Sequence, residues 1–198
     1  MKIRDWPYTT PGLDDHLFIR EDAPLTREEV RALTISKLRL TKQSTMIDVG
    51  AGTGSVSIEA ALQAERGKIW ALEKDESRFM ILKKNFSQSG LDNLEPINGE
   101  APAAMQELPV VDRVFIGGSG GSLPEIIRRG RELLRPGGLM VLNAVTLETL
   151  SKGTEILSEL EMEPSVVSLS ISKTRARGRY NLFHSLNQIF IISARKGE

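Results

Sequence analysis

The sequence predicts an α/β fold with a doubly wound, mostly parallel sheet. Three observations carry this. The run Met46-Ile47-Asp48-Val49-Gly50-Ala51-Gly52-Thr53-Gly54 is a short apolar strand that ends in a glycine-packed turn and opens a helix. Strand and helix signals then alternate as far as residue 160. Last come two β-rich runs, 165–173 and 187–195, joined by a polar loop with no helix between them. Strands joined that way pair antiparallel at one side of a sheet.

The elements follow in chain order. Residues 1–24 are rich in Pro, Gly and Asp and read as an irregular arm, anchored by Trp6, Leu13, Leu17, Phe18 and Ile19. Thr26-Arg27-Glu28-Glu29 reads as a capping box, with Thr26 as N-cap and Glu29 reaching back. Val30, Leu33, Thr34, Lys37 and Leu38 follow at helical spacing, with Leu33 and Leu38 facing the core. Strands are predicted over 46–50, 68–73, 94–98, 113–116 and 139–145, and helices over 54–65, 75–89, 123–134 and 147–160. Leu134-Arg135-Pro136-Gly137-Gly138 stops a helix and turns into a strand. The whole chain, 1–198, fits one domain with a full core.

The glycine turn suits a nucleoside-bearing ligand seated on bare backbone. Gly50 can take a positive φ, Gly52 removes a side chain where the ligand approaches, and Gly54 lets the next helix start close to the strand. That helix then points its free N–H groups at the ligand. The spacing is G-x-G-x-G, not the G-x-G-x-x-G that cradles a pyrophosphate. Asp48, two residues before the first glycine, is a poor neighbour for a diphosphate and a good one for the ammonium and sulfonium of S-adenosylmethionine. Asp48 can instead accept from the amides of its own turn. Glu73 ends the next strand about 20 residues on, where a ribose-binding carboxylate belongs; it can alternatively cap the helix after it. In Asn98-Gly99-Glu100-Ala101-Pro102, Glu100 can accept from an adenine amine and the Ala101 N–H can donate to a ring nitrogen, or the segment is a surface turn.

Composition narrows the function. There are 26 basic and 26 acidic residues, so net charge is zero and broad nucleic-acid binding is disfavoured. No cysteine is present, which rules out disulfides, thiolate metal sites and cysteine nucleophiles, and fits the cytoplasm. The two histidines, His16 and His184, stand far apart, which argues against a metal site. No apolar run reaches the roughly 20 residues needed to span a bilayer, and the start of the chain lacks an apolar signal core.

Two further segments suggest a large anionic substrate. Ile116-Gly117-Gly118-Ser119-Gly120-Gly121 lies where base-methylating enzymes carry an Asn/Asp-Pro-Pro-aromatic run. Glycines there open space and offer N–H groups; the alternative is a close-packed turn. Lys173-Thr174-Arg175-Ala176-Arg177-Gly178-Arg179-Tyr180 places four cations within residues 173–179, suited to carboxylate arms, to RNA phosphates or merely to solvent.

These residues resemble a known family: the decarboxylating cobalt-precorrin-6B (C-15)-methyltransferases, CbiT type, of cobalamin biosynthesis. The resemblance runs over about residues 13–195. It rests on Leu17 to Arg20, Pro24 to Thr26, Glu29 to Arg31, the turn 48–54, Gly99 to Pro102, Val114 to Gly121 and Leu142 to Thr149; the last two are the most discriminating. It implies a Rossmann-like class I S-adenosylmethionine-dependent methyltransferase fold and a cytoplasmic homotetramer. It also implies a tetrapyrrole substrate methylated at carbon and stripped of carbon dioxide at the ring C acetate. Thr26, the Gly50–Gly54 turn, Glu73 and Ala101 become cofactor contacts, joined by Asp48 and Glu100 on the reading above. Gly117, Gly118, Ser119, Gly120, Arg175, Arg177 and Arg179 become substrate contacts. Glu100 stands where the family commonly has Asp. No residue stands out as catalytic: Glu148, Asn143, Tyr180 and His184 are each possible proton donors. The rival reading is an RNA methyltransferase of similar fold, acting on a tRNA adenine.

Overall fold

The structure is a computed structural model and describes residues 2–198. β1 (Thr45–Val49) lies near the middle of a seven-stranded sheet. Its neighbours are β2 (Lys68–Glu73) on one side and β4 (Val111–Ile116) on the other, both parallel to it. β3 (Leu94–Asn98) extends the sheet beyond β2, and β5 (Leu134–Ala144) extends it beyond β4, again in parallel. β9 (Ile189–Arg195) pairs antiparallel with β5, and β6 (Ser165–Leu169) closes the edge antiparallel to β9. The order is therefore β3-β2-β1-β4-β5-β9-β6. The chain winds outward from β1 to β3, then crosses back to β4. The direction of winding reverses between β1 and β4, and the carboxyl ends of strands at such a switch point are where α/β sheets hold ligands.

Side-chain alternation along the strands builds one core on each face. Ile47, Val49, Val114 and Met140 meet Ile126 and Ile127 of α4 (Leu123–Leu133) and Ile156 of α5 (Leu147–Glu159). Met46, Phe115 and Val141 point the other way, onto Ile35 and Leu38 of α1 (Glu28–Leu38), Ile58 of α2 (Ser55–Gln63) and Leu82 of α3 (Glu76–Ser89). Each fully buried aliphatic of this kind contributes about 1.5–3 kcal/mol. In the N-terminal arm Leu13 and Phe18 are buried as expected, and Ile3 joins them.

Four local expectations need correction. The capping box does not form: α1 starts at Glu28 with Arg27 as N-cap and no side-chain cap bond. Glu29 instead pairs with Lys173 at 2.6 Å, while Arg31 takes the Thr26 carbonyl, so tertiary partners outbid the local motif. The turn at Pro136-Gly137-Gly138 lies inside β5, as an irregularity that shifts its register against β4 between Val111 and Arg113. The polar loop near the C-terminus is a hairpin, β7 (Ser172–Arg177) and β8 (Tyr180–Ser185), turning at Gly178-Arg179. Finally, Gly54 seats α2 against α3 rather than against the strand: a Cβ there would lie 2.3 Å from Leu82 Cδ1.

Candidate active site

The glycine turn is clasped from both sides by main chain. Gly50 and Ala51 N–H both donate to the Leu72 carbonyl at 2.9 Å, while Gly117 and Gly118 N–H donate to the Val49 carbonyl at 2.9 and 3.3 Å. Gly50 has φ +73°, and a Cβ on it would lie 2.5 Å from the Gly118 oxygen. Glycine is thus required for the loops after β1 and β4 to touch back to back. Gly52, at φ +58°, meets nothing nearer than the Pro24 carbonyl at 3.6 Å and so leaves its side open.

That open side is a cleft of about 450 Å³ along the carboxyl ends of β1, β2, β4 and β5, roofed by Pro24, Leu25, Thr26 and Arg27. The size is ordinary for a small-molecule site. Glu73 stands at its centre. One carboxylate oxygen accepts from Gly52 N–H at 2.8 Å and the other from Asp75 N–H at 2.9 Å. An ionised carboxylate has about four acceptor positions, so two stay available to a ligand. Glu73 does not cap α3; Asp75 does, accepting from Arg78 N–H at 2.9 Å.

Asp48 lies under the turn and outside the cleft lining, fully buried. Its Oδ2 takes the Ser57 hydroxyl, and its Oδ1 has no partner. Burial pushes its carboxyl up to about 7; the Ser57 hydrogen bond works against this and the Glu73 charge adds to it. The turn amides that were an alternative role for Asp48 bond to other groups: those of Gly50 and Ala51 to the Leu72 carbonyl, and that of Gly52 to Glu73.

At the β3 end, Gly99 N–H and Asn98 Nδ2 donate to the Glu73 carbonyl at 3.1 and 3.0 Å, which brings Glu100 and Ala101 to the cleft wall. Glu100 spends one oxygen on Lys74 at 2.7 Å. Lys74 reaches on toward Gly120, where a Cβ would lie 2.6 Å from its Nζ.

The segment 117–120 also lines the cleft. The arginines of the hairpin do not join it there. Arg175 lines a separate groove of about 230 Å³ with Lys173 and His184, while Arg177 and Arg179 are exposed at the hairpin tip, Arg179 over the Tyr180 ring at 5.0 Å. Strand alternation puts Lys173, Arg175 and Arg177 on one face. The ion pair of Lys173 with Glu29 turns that face toward α1. Arg27 borders both the groove and the main cleft, and so links them. Of the four possible proton donors only Asn143 lines the cleft. Glu148, Tyr180 and His184 are exposed outside it.

Three buried groups that no local pattern announces hold the roof. Arg31, fully buried, bonds Glu59 through Nε at 2.7 Å, Asp15 through Nη1 at 3.2 Å, and the Thr26 and Leu13 carbonyls. Glu59 also accepts from the Gly12 and Leu13 amides, at 2.6 and 3.2 Å. Asn85 joins the arm to the glycine turn: it pairs with Ile19 N–H and carbonyl at 2.7 Å each and donates to the Thr53 carbonyl at 2.8 Å. Hydropathy alone assigns all three to solvent. Arg27 carries no sequence signal at all, because its position reads as helix N-terminal filler.

A parallel β3-β2-β1-β4-β5 core with antiparallel β9 beyond it, and a glycine turn facing a strand-end acid, define a class I methyltransferase-like fold. Comparison with known proteins narrows this. The family described as "Precorrin methyltransferase domain" matches residues 17–196. A probable cobalt-precorrin-6B C(15)-methyltransferase (decarboxylating) of Pyrobaculum calidifontis is 42% identical over 192 residues, 96% of this chain and 98% of that protein. The crystal structure of a precorrin-6y C5,15-methyltransferase from Geobacter metallireducens superposes with TM-score 0.91 at 41% identity, over 96% of this chain and 100% of that one. The chain belongs to the precorrin methyltransferase family, in its decarboxylating cobalt-precorrin-6B C(15) branch. A tRNA (m1A58) methyltransferase from Aquifex aeolicus shares the fold alone, at TM-score 0.78 and 17% identity over 95% of this chain and 77% of its own.

Proposed function

We propose that this protein is a single-domain, cytoplasmic S-adenosylmethionine-dependent methyltransferase. It methylates C15 of cobalt-precorrin-6B and releases the ring C acetate as carbon dioxide, in cobalamin biosynthesis. The observation that carries the cofactor half is the cleft itself: side-chain-free backbone at Gly52 facing a Glu73 carboxylate with two acceptor positions to spare. A ribose diol fits that carboxylate. The amides of Thr53 and Ala101, with Thr26 on the roof and Gly54 at the start of α2, complete the seat, and Glu100 flanks the adenine end; the Gly50, Ala51, Gly52 and Gly54 amides are held within the protein. Asp48 acts from beneath, as a buried carboxyl that a bound cation draws toward its ionised form.

The bound cofactor supplies a methyl group already activated on sulfur. The chain's part is to hold the tetrapyrrole in line and keep water out. Gly117, Gly118, Ser119 and Gly120 give a bulky ring room against main chain, although the Gly117 and Gly118 amides are already committed to the Val49 carbonyl. Arg175, Arg177 and Arg179 hold peripheral carboxylates by charge-assisted hydrogen bonds. The chain works as a homotetramer, for which the wholly exposed hairpin is the support. Against the tRNA reading stands the narrow basic footprint of one hairpin face.

Incubation with cobalt-precorrin-6B and a labelled methyl donor, read by mass spectrometry, tests this. One methyl gained and one carbon dioxide lost are expected. Labelling of tRNA with the tetrapyrrole untouched would replace this reading with the RNA one.

A further inference from the structure

The cleft is electrostatically divided, and the division bears on which carboxylate is lost. Five charged side chains line it. Glu73, Lys74, Arg78 and Glu100 stem from the β2–β3 side; Lys74 is already paired with Glu100, and its ammonium lies against Gly120 of the loop after β4. Arg27, at the roof, is directed to Asp15 at 3.5 Å. The opposite wall, from β4, β5, β9 and α1, is Val30, Phe115, Val145 and Ile189 around the amide of Asn143. That wall has no charge of its own. The free cations of the hairpin sit outside the cleft.

Asn143 is held in a defined state. Thr34 Oγ1 lies 2.8 Å from the Val30 carbonyl, 3.1 Å from Asn143 Nδ2 and 3.2 Å from Asn143 Oδ1. A hydroxyl has one proton, and the Val30 carbonyl is its nearest acceptor. Thr34 therefore receives one N–H from Asn143, and the second N–H is left for the cleft.

We infer that this neutral wall is the seat of the departing carboxylate, with Asn143 holding one of its oxygens. The inference rests on the tetrapyrrole reading above. In the step, the bond between the carboxyl carbon and its methylene breaks and its electron pair passes into the conjugated macrocycle. Carbon dioxide leaves, and the methylene carbon then takes a proton from water. The carboxylate charge disperses as the bond breaks. A cation at that carboxylate favours the ground state over the transition state and slows the step. An amide N–H orients the group without neutralising it, and an apolar wall withholds hydration. Cations on the hairpin instead retain the arms that must survive. Location in the cleft, rather than the chemistry of the arms themselves, then selects the one that is lost.

The test adds a charge to the wall at Val145, which is 67% exposed and tolerates a long side chain. Wild type, Val145→Lys and the uncharged Val145→Met are incubated with cobalt-precorrin-6B and S-adenosylmethionine. Mass spectrometry then separates methylated tetrapyrrole that keeps its carboxyl from methylated tetrapyrrole that has lost it. Val145→Lys is expected to lower the ratio of decarboxylated to carboxylated product about tenfold relative to Val145→Met, which has a side chain of similar length and no charge. An unchanged ratio in Val145→Lys overturns the inference, as does an equal fall in Val145→Met. S-adenosylhomocysteine binding by calorimetry verifies that each variant is folded. Should Val145→Lys fail that check, Val145→His carries the test: its ratio must fall as pH drops through about 6.5, relative to wild type, and a parallel profile overturns the inference. A wild type that yields neither product, yet binds S-adenosylhomocysteine, removes the substrate reading and this inference together.

Discussion

Glu73 serves two masters with one carboxylate. It braces the glycine turn through Gly52 and the start of α3 through Asp75, and its remaining lone pairs are those proposed to take the ribose. Glu73→Ala is therefore expected to lose about 1.5–3 kcal/mol of cofactor affinity per charge-assisted hydrogen bond removed. Titration calorimetry with S-adenosylhomocysteine measures this, and unchanged affinity would leave Glu73 only its bracing role. Asp48 makes a different prediction, on stability. Its folded carboxyl is raised from 3.8 to about 7, with burial as the main cause. Between those values the folded chain keeps a proton that the unfolded chain has released. The stability tied to this proton is complete below about pH 4 and is lost as pH rises through about 7. Asp48→Asn keeps the neutral form at every pH. Its thermal midpoint should fall less than that of wild type between pH 5 and pH 8, and parallel pH profiles would contradict the assignment.

At the scale of elements, the roof over the cleft depends on a buried ion pair. Arg31→Met leaves Glu59 buried without its cation, and it frees the Thr26 and Leu13 carbonyls. Loss of one partner from such a pair costs about 3–5 kcal/mol. Urea titration should show a fall of that size, with weaker S-adenosylhomocysteine binding because the 24–27 segment loses its anchor. The hairpin makes the opposite forecast: replacing Arg175, Arg177 and Arg179 together should raise the KM for the tetrapyrrole and spare cofactor affinity. What sequence reveals divides along the same line. The glycine turn, Glu73 at the end of the next strand and the alternation of strand and helix around them are local patterns, and they were legible. Arg31–Glu59 and Thr34–Asn143 are contacts between residues 28 and 109 positions apart, with no local signature. The hairpin escaped because Lys173 to Arg177 shows no alternation of apolar and polar residues, and every residue of both its strands is exposed. The capping box misled for a related reason: Glu29 is claimed by a lysine from that same unrecognised hairpin.

The whole molecule poses one structural problem that the proposed second copy would solve. A two-stranded ribbon is at best marginally stable in water without a third strand or a packed face. Yet among the described residues β7 and β8 pair only with each other, and Tyr180, Leu182 and Phe183 are 59%, 47% and 81% exposed. Strand alternation puts Phe183 on the face opposite Arg175, so burial of Phe183 against another copy leaves the basic face directed to α1. In the proposed homotetramer the hairpins supply each other's missing contacts. Phe183→Asp introduces a charge at that face and should shift the protein toward smaller species in size-exclusion chromatography with light scattering. Because the hairpin then loses its support, the KM for the tetrapyrrole should rise in the same variant. S-adenosylhomocysteine should still bind, since its cleft is built from the sheet and the roof of one chain. A wild type that is monomeric at micromolar concentration, or a Phe183→Asp variant with unchanged mass, would show that the hairpin's partner is not this chain.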